Sequence, residues 1–248
     1  MLLCAITLVL SYIAHKATRR FFSDDVLKEN HEVGGFIFNA FGLIYAVLVA
    51  FVVFATWTEY DEAKKTVDME ASELADLFNN SKAFPVTMQD EINYAIVAYV
   101  DNVIHEEWGM LSEGKMSEDA RKNYHRLWDV FVKHESGSIN NIPVYQESLR
   151  HLNDLGEWRR SRIFESRNNI PGIIWGVLLF GGVMTVVYTF FFRTRKLAAQ
   201  LLMSSGLTVL NTVILYMIYI LDHPYVGYTR IGYESLEYVL TLVRTGGL

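Results

Sequence analysis

Residues 34–57 read GGFIFNAFGLIYAVLVAFVVFATW, without a single charge. About 20 apolar residues suffice to cross a bilayer as a helix, so this stretch predicts a membrane span. Two further runs read the same way: Ile170–Phe192 (IPGIIWGVLLFGGVMTVVYTFFF) and Leu201–Leu221 (LLMSSGLTVLNTVILYMIYIL). Met1–Ala14 is a shorter fourth candidate, which reaches Thr18 if the helix tilts. It lacks a basic leading region and a small-residue cleavage site, so it reads as a retained helix rather than a signal peptide.

The expected architecture is all-α: four transmembrane helices with an extramembrane four-helix bundle between spans two and three. The expected segments are a first membrane hairpin over 1–58 (spans about 1–18 and 34–58), a bundle over 59–169, a second hairpin over 170–222 (spans about 170–192 and 199–221), and an amphipathic tail over 223–248. The bundle region holds about 21 Asp and Glu against about 13 Lys and Arg, a net charge near −8. A solvated surface accounts for that acidity. Nucleic acid is excluded as a partner, because phosphates need a basic footprint. Cys4 is the sole cysteine, so neither an intramolecular disulfide nor a cysteine metal site is available.

Loop charge bears on orientation. Lys16, Arg19, Arg20 and Lys28 lie between the first two spans, and Arg193, Arg195 and Lys196 between the last two. The positive-inside rule places both loops in the cytoplasm and the bundle outside. Arg159, Arg160, Arg162 and Arg167, close before span three, pull the other way.

Within the bundle, Ala63, Val67, Ala71, Leu74 and Phe78 recur on one helical face. No breaker separates them from Trp57, so span two is expected to continue as one long helix until Phe84-Pro85. Thr87 with Asp90 resembles a capping box for the next helix, marked by Ile92, Ile96, Tyr99 and Val103. Tyr124, Leu127, Trp128 and Phe131 mark a third helix, and 136–141 (SGSINN) a loop. Pro143 suits the start of a fourth, with Leu149, Leu152, Leu155 and Ile163 on its apolar face. That helix runs toward span three, where Pro171 should kink or restart it. In the tail, Leu236, Val239 and Leu240 oppose Glu234 and Glu237, which predicts an amphipathic helix on the membrane surface or against the bundle.

Span two carries an uneven surface. Gly35, Asn39, Gly42, Ala46, Val49 and Val53 step along one face, flanked by Phe38, Phe41, Tyr45 and Leu48. Small residues let helices pack closely in a membrane, and they also leave room for a lumen; both readings stay open. Asn39 must face protein or water in either case. Span four has a polar line of Ser204, Thr208, Asn211, Thr212, Tyr216 and Tyr219. Hydroxyls can bond back to helix carbonyls, whereas Asn211 needs an interhelical partner or an aqueous path. Asp222 closes span four and Arg167 precedes span three. Together with Pro224 and Gly227 they are candidates for a structural clamp, although Asp222 also fits an exposed interfacial carboxylate.

Asp101, Glu106 and Glu107, beside Trp108, are weak candidates for a calcium site, since they lack the glycine-punctuated spacing of a loop site. A solvated helix surface explains them as well. The sequence holds no HExxH, no GxSxG elbow and no Walker loop, and the spans contain no paired ionisable groups. An enzyme is not expected, nor any cofactor beyond that weak calcium candidate.

Several stretches carry a family resemblance: HEVGGFIFNAFGLIYAVLVAFVVFATWTEYDEA from His31, DMEASELADLF from Asp68, YVDNVIHEEW, RNNIPGIIWGVLLFGG and LDHPYVGYTRI from Leu221. The chain resembles the bacterial bestrophin-like domain proteins, a family with a distant likeness to the bestrophins. The resemblance implies a multi-pass protein of the bacterial cytoplasmic membrane and a pentameric, calcium-regulated anion channel. The second membrane helix would line a hydrophobic neck, with Phe38, Phe41 and Tyr45 as an aromatic ladder. It also implies a cytoplasmic bundle, opposite to the loop-charge reading. An acidic vestibule would instead favour cations. The leading expectation is a homo-oligomeric pore whose partners are the lipid bilayer, ions and further copies of the chain. The alternative is a membrane-anchored scaffold or sensor.

Overall fold

The structure is a computed structural model. It describes residues 31–134, 141–191 and 197–247, with Val9, Tyr12, Ile13 and Lys16 before them. The first span as a unit, Cys4, the basic loop residues Arg19, Arg20, Lys28, Arg193, Arg195 and Lys196, and most of the 136–141 loop lie outside the described residues.

The described elements are helical. Helix α1 runs unbroken over His31–Ser81, as the absence of any breaker after Trp57 predicts. Helix α2 (Val86–Asn102) leads into a π-helical turn, Val103–Glu107, and a short α3 (Trp108–Leu111). Then follow α4 (Glu118–Lys133), α5 (Ile142–Glu165), α6 (Gly172–Phe191), α7 (Leu197–Leu221) and α8 (Glu234–Thr245). The chain divides into two compact units, residues 1–57 with 170–222, and 58–169 with 223–248.

The first unit contains helices long and apolar enough to cross a membrane: Val33–Ser81 by its apolar part, Gly172–Phe191 and Ala198–Leu221. Helices α6 and α7 pack together, and Val52, Leu178 and Ile218 form a small core with Leu48, Val49, Ile174, Trp175 and Ile214. Small residues set how closely these helices approach. A Cβ at Gly181 would lie 2.3 Å from the Tyr45 ring, and one at Gly182 would lie 2.6 Å from Asn211 Nδ2. Only glycine fits at such separations.

In the second unit the part of α1 beyond Trp57 shares a core with α2, α4, α5 and α8. Leu74, Leu77, Met88, Ile92, Ile96, Leu127, Leu152 and Leu236 are all fully buried in it. Each such side chain contributes roughly 1.5–3 kcal/mol by leaving water. Helix α4 is capped by Ser117, whose hydroxyl accepts from Asp119 and Ala120 N–H at 3.2 Å each, with Glu118 and Asp119 in the first turn and Lys133 in the last.

One local expectation needs correction. Thr87 and Asp90 do not cap α2: its N-cap is Pro85, with no side-chain capping bond, and Thr87 is already helical. Proline's fixed φ begins the helix two residues early. Helix α5 ends at Glu165 and the helix restarts at Gly172 after Pro171, the second of the two outcomes expected there. Of the two placements open to the tail, α8 takes the bundle: it packs on α2 with Leu236, Val239 and Leu240 buried, and Gly246 closes it at φ 73°.

Candidate functional site

On α1 the two faces noted in the sequence part company. The aromatic face turns toward the other spans of its unit. Phe38 and Phe41 each lie 5.9 Å, ring to ring, from Tyr188, and Phe41 stacks on Tyr45. The Tyr45 hydroxyl donates to Leu178 O at 3.0 Å and lies 3.1 Å from Asn211 Oδ1. Asn211 thus finds an interhelical partner, the first of the two options its chemistry allows.

The small-residue face is different. Asn39 and Ala46 are exposed in the single chain, and Gly35, Gly42, Val49 and Val53 are half-buried. At 3.6 residues per turn this stripe is centred about a quarter-turn from the packed aromatic face. On span four, Ser204, Thr208 and Thr212 are buried, and the Thr208 and Thr212 hydroxyls donate at 2.7 Å to the carbonyls four residues back. Tyr216 and Tyr219 are exposed. The Thr208 and Thr212 hydroxyls therefore bond back within their own helix.

Asp222 is buried within the membrane unit. Its Oδ1 accepts Ile170 N–H at 2.6 Å and its Oδ2 accepts Trp175 Nε1–H at 3.1 Å. It ties the end of α7 to the start of α6 by capping the N–H that precedes Pro171. Arg167 belongs to the other unit, where its Nε donates to Gly114 O at 2.6 Å. In the same unit Pro224 O accepts Ile231 N–H at 2.7 Å, and Gly227 turns the chain at φ 82°, a conformation that favours glycine.

A buried charge network crosses the second unit. Arg162, fully buried, donates from Nε to Glu70 Oε2 at 2.5 Å and from Nη2 to Glu107 Oε1 at 2.8 Å. Arg159 Nη2 reaches Glu107 Oε2 at 2.8 Å, Ser117 N–H donates to the same oxygen at 2.9 Å, and Tyr99 donates to Glu70. Burial opposes the Arg162 charge, yet Glu70, Tyr99 and Glu107 hold its pKa well above the ordinary value. Burial, with Glu70 beside it, raises the Tyr99 hydroxyl. Glu107 lies in the π-helical turn, four residues after Val103 and eight after Tyr99 on the buried face, whereas Glu106 is exposed.

That geometry disperses the weak calcium candidates. Glu107 is committed to two arginines, Glu106 accepts from Ser117 Oγ at 2.9 Å, and Asp101 lies 3.4 Å from His105. Among the described residues, the histidine and carboxylates that do converge are Glu73, Asp76 and His151, with ligand atoms within 4.8 Å of one another. His151 Nδ1 lies 2.6 Å from Glu73 Oε2, so this triad is satisfied by its own hydrogen bond. The sequence reading missed the network. Its signal was present: Glu70 sits in step with Ala63, Val67 and Leu74, a carboxylate on an apolar face.

The fold has close counterparts among solved structures. A point mutant of a bacterial Bestrophin homolog from Klebsiella pneumoniae superposes with a TM-score of 0.76 at 11% identity, covering 98% of each chain. A second mutant of that homolog gives 0.71 at 11% identity, again over 98% of each chain. A crystal structure described as a membrane protein gives 0.73 at 12% identity, covering 98% of this chain and 97% of that one. No curated protein matches the sequence. Identities this low establish the fold alone. The sequence itself goes further, since residues 1–236 match the Bestrophin-like domain, nearly the whole chain. With the apolar helices and the shared fold in place, this all-helical membrane protein belongs to the Bestrophin-like family.

Proposed function

We propose that the chain is one subunit of a homo-oligomeric ion channel in a bacterial cytoplasmic membrane, with the small-residue face of α1 lining the axis. The observation that carries this reading is the exposure of Asn39 and Ala46 in the single chain, beside an aromatic face that is already packed. An amide left against lipid is costly, so Asn39 calls for water or a second copy. Val49 and Val53, half-buried at the edge of the Val52–Leu178–Ile218 core, continue the same face, and in this reading their open side supplies a hydrophobic constriction that gates by dewetting. Membership of the Bestrophin-like family supports a channel, a pentamer as the expected number, and an anion as the permeant species. The acidity of the bundle region argues for cations instead, and a reversal-potential measurement separates the two. Conduction of this kind needs neither a catalytic group nor a cofactor.

Phe38, Phe41 and Tyr45 serve in this reading as the packed backing of the pore wall rather than as its lining. The test is particle symmetry in mild detergent together with ion flux in reconstituted vesicles. A ring of subunits, with flux that rises in Val49→Ser, supports the channel. A monomer or dimer without flux overturns it. It would favour a membrane-anchored scaffold or sensor, a reading to which the unbroken helix His31–Ser81 lends itself.

A further inference from the structure

The acidic second unit contains a basic depression. A cavity of about 370 Å³ opens between α4 and α5, and its wall includes Arg121, His125, Arg159, Arg160 and Arg167. Among the described residues, none that lines it is a carboxylate. Its apolar side is formed chiefly by Ile163 and Phe164, the latter 69% exposed. In a region whose net charge is near −8, so many cations on one wall call for an explanation.

The existing contacts leave much of this charge uncommitted. Among the described residues Arg121 pairs with Glu118 alone, an exposed partner one helical turn away, and such pairs are weak. Arg160 is exposed and makes no ion pair among the described residues. Arg159 is the informative member. It is 5% exposed and its Nη2 is held by Glu107, yet its buried Nε has no hydrogen-bond partner. Buried polar groups are nearly always satisfied, so Arg159, a residue of the cavity wall, keeps hydrogen-bonding capacity that its protein contacts leave unused. Glycine at 156 keeps the site open: a Cβ there would fall 2.2 Å from the Tyr124 hydroxyl and 3.3 Å from Arg160 Nη1.

We propose that this cavity binds a small oxyanion, a carboxylate or phosphate group carried on an apolar stem. Guanidinium groups match such oxyanions in charge and planar geometry, and the Ile163–Phe164 side accepts the stem. The volume lies within the range of small-molecule sites, about 300–1,000 Å³. The same head-group chemistry is found in soluble phosphomonoesters and in anionic lipids. The inference does not rest on conduction and stands or falls separately from it.

The test titrates the full chain in neutral detergent with phenyl phosphate at constant ionic strength, with benzyl alcohol as the uncharged control. Phosphatidic acid adducts are followed by native mass spectrometry. The variants are Arg160→Ala and Arg121→Ala, both at exposed positions, with melting checked for each. The expected result is saturable phenyl phosphate binding, no benzyl alcohol binding, and a loss of about tenfold in affinity in Arg160→Ala, equivalent to ~1.4 kcal/mol. Phosphatidic acid adducts displaced by phenyl phosphate and lost in Arg160→Ala assign the ligand to lipid. Phenyl phosphate binding without such adducts assigns it to a soluble anion. Absence of saturable binding by both probes, or binding unchanged in both variants, overturns the proposal.

Discussion

Arg162 Nε donates to Glu70 Oε2 at 2.5 Å, and both side chains are completely buried. The pair links α1 to α5 and extends through Glu107 to Arg159. A buried ion pair adds little over apolar packing, but breaking one side of it strands a charge in a low dielectric.

Arg162→Met therefore destabilises the chain by about 3–5 kcal/mol, because Glu70 and Glu107 lose their shared cation. Glu70→Gln together with Arg162→Met recovers part of that loss. Thermal melting of the detergent-solubilised protein checks both. Equal melting of the single variant and the wild type would show that the network is not held as described.

Glu165 supplies a pH-dependent test. Burial raises its carboxyl above the ordinary value of 4.5, against the opposing hydrogen bond from Thr66. A raised folded-state pKa gives stability that is complete below the ordinary value and is lost as pH rises through the folded value. Glu165→Gln keeps an acceptor for Thr66 and removes the charge. Its melting temperature should exceed that of the wild type near about pH 8 and match it near about pH 4. A uniform offset at both would contradict this.

In the membrane unit, Asp222→Ala removes the acceptor for Ile170 N–H and Trp175 Nε1–H and should cost about 1–3 kcal/mol. Asp222→Asn keeps one carbonyl oxygen and should cost less. Melting in detergent separates the two. An exposed interfacial carboxylate would leave both unchanged.

Gly181→Ala places a methyl group against the Tyr45 ring, whereas Gly176→Ala meets nothing within 4 Å. The first should lose about 1–3 kcal/mol by overpacking and the second should be neutral. Comparable melting of the two would mean that α6 does not approach α1 as described.

Much of this fold is legible in the sequence because apolar length and period are strong signals. The span Gly34–Trp57 and the face Ala63 to Phe78 together announce the single helix His31–Ser81. The face of α8 is read as easily from Leu236, Val239 and Leu240. Its partner is not, since amphipathicity is the same whether the apolar face meets lipid or protein. The buried network was less visible. Glu107 follows Glu106 in a run that reads as solvated surface, although Glu107 continues the buried face of Ile96, Tyr99 and Val103 at helical spacing and Glu106 does not. Arg159 and Arg162 fall in step with Leu152 and Leu155 on the apolar face of α5, but arginines clustered just before a span are read first as a loop-charge signal. Similarly, the aromatic and small-residue faces of span two are both evident, but only packing against Tyr188 and Gly181 decides which one is spoken for.

The central claim, that the small-residue face of α1 lines a conducting axis, is tested most directly by cysteine accessibility. Single cysteines are placed at Asn39, Ala46 and Val53, and at Leu43, Phe51 and Phe54 on other faces, all in a Cys4→Ser background. Ion flux through reconstituted vesicles is then measured before and after a charged, membrane-impermeant thiol reagent. The account predicts flux in the parent and block at positions 39, 46 and 53, with no effect at 43, 51 and 54. Absence of flux in the parent, or block confined to Leu43, Phe51 and Phe54, would contradict it.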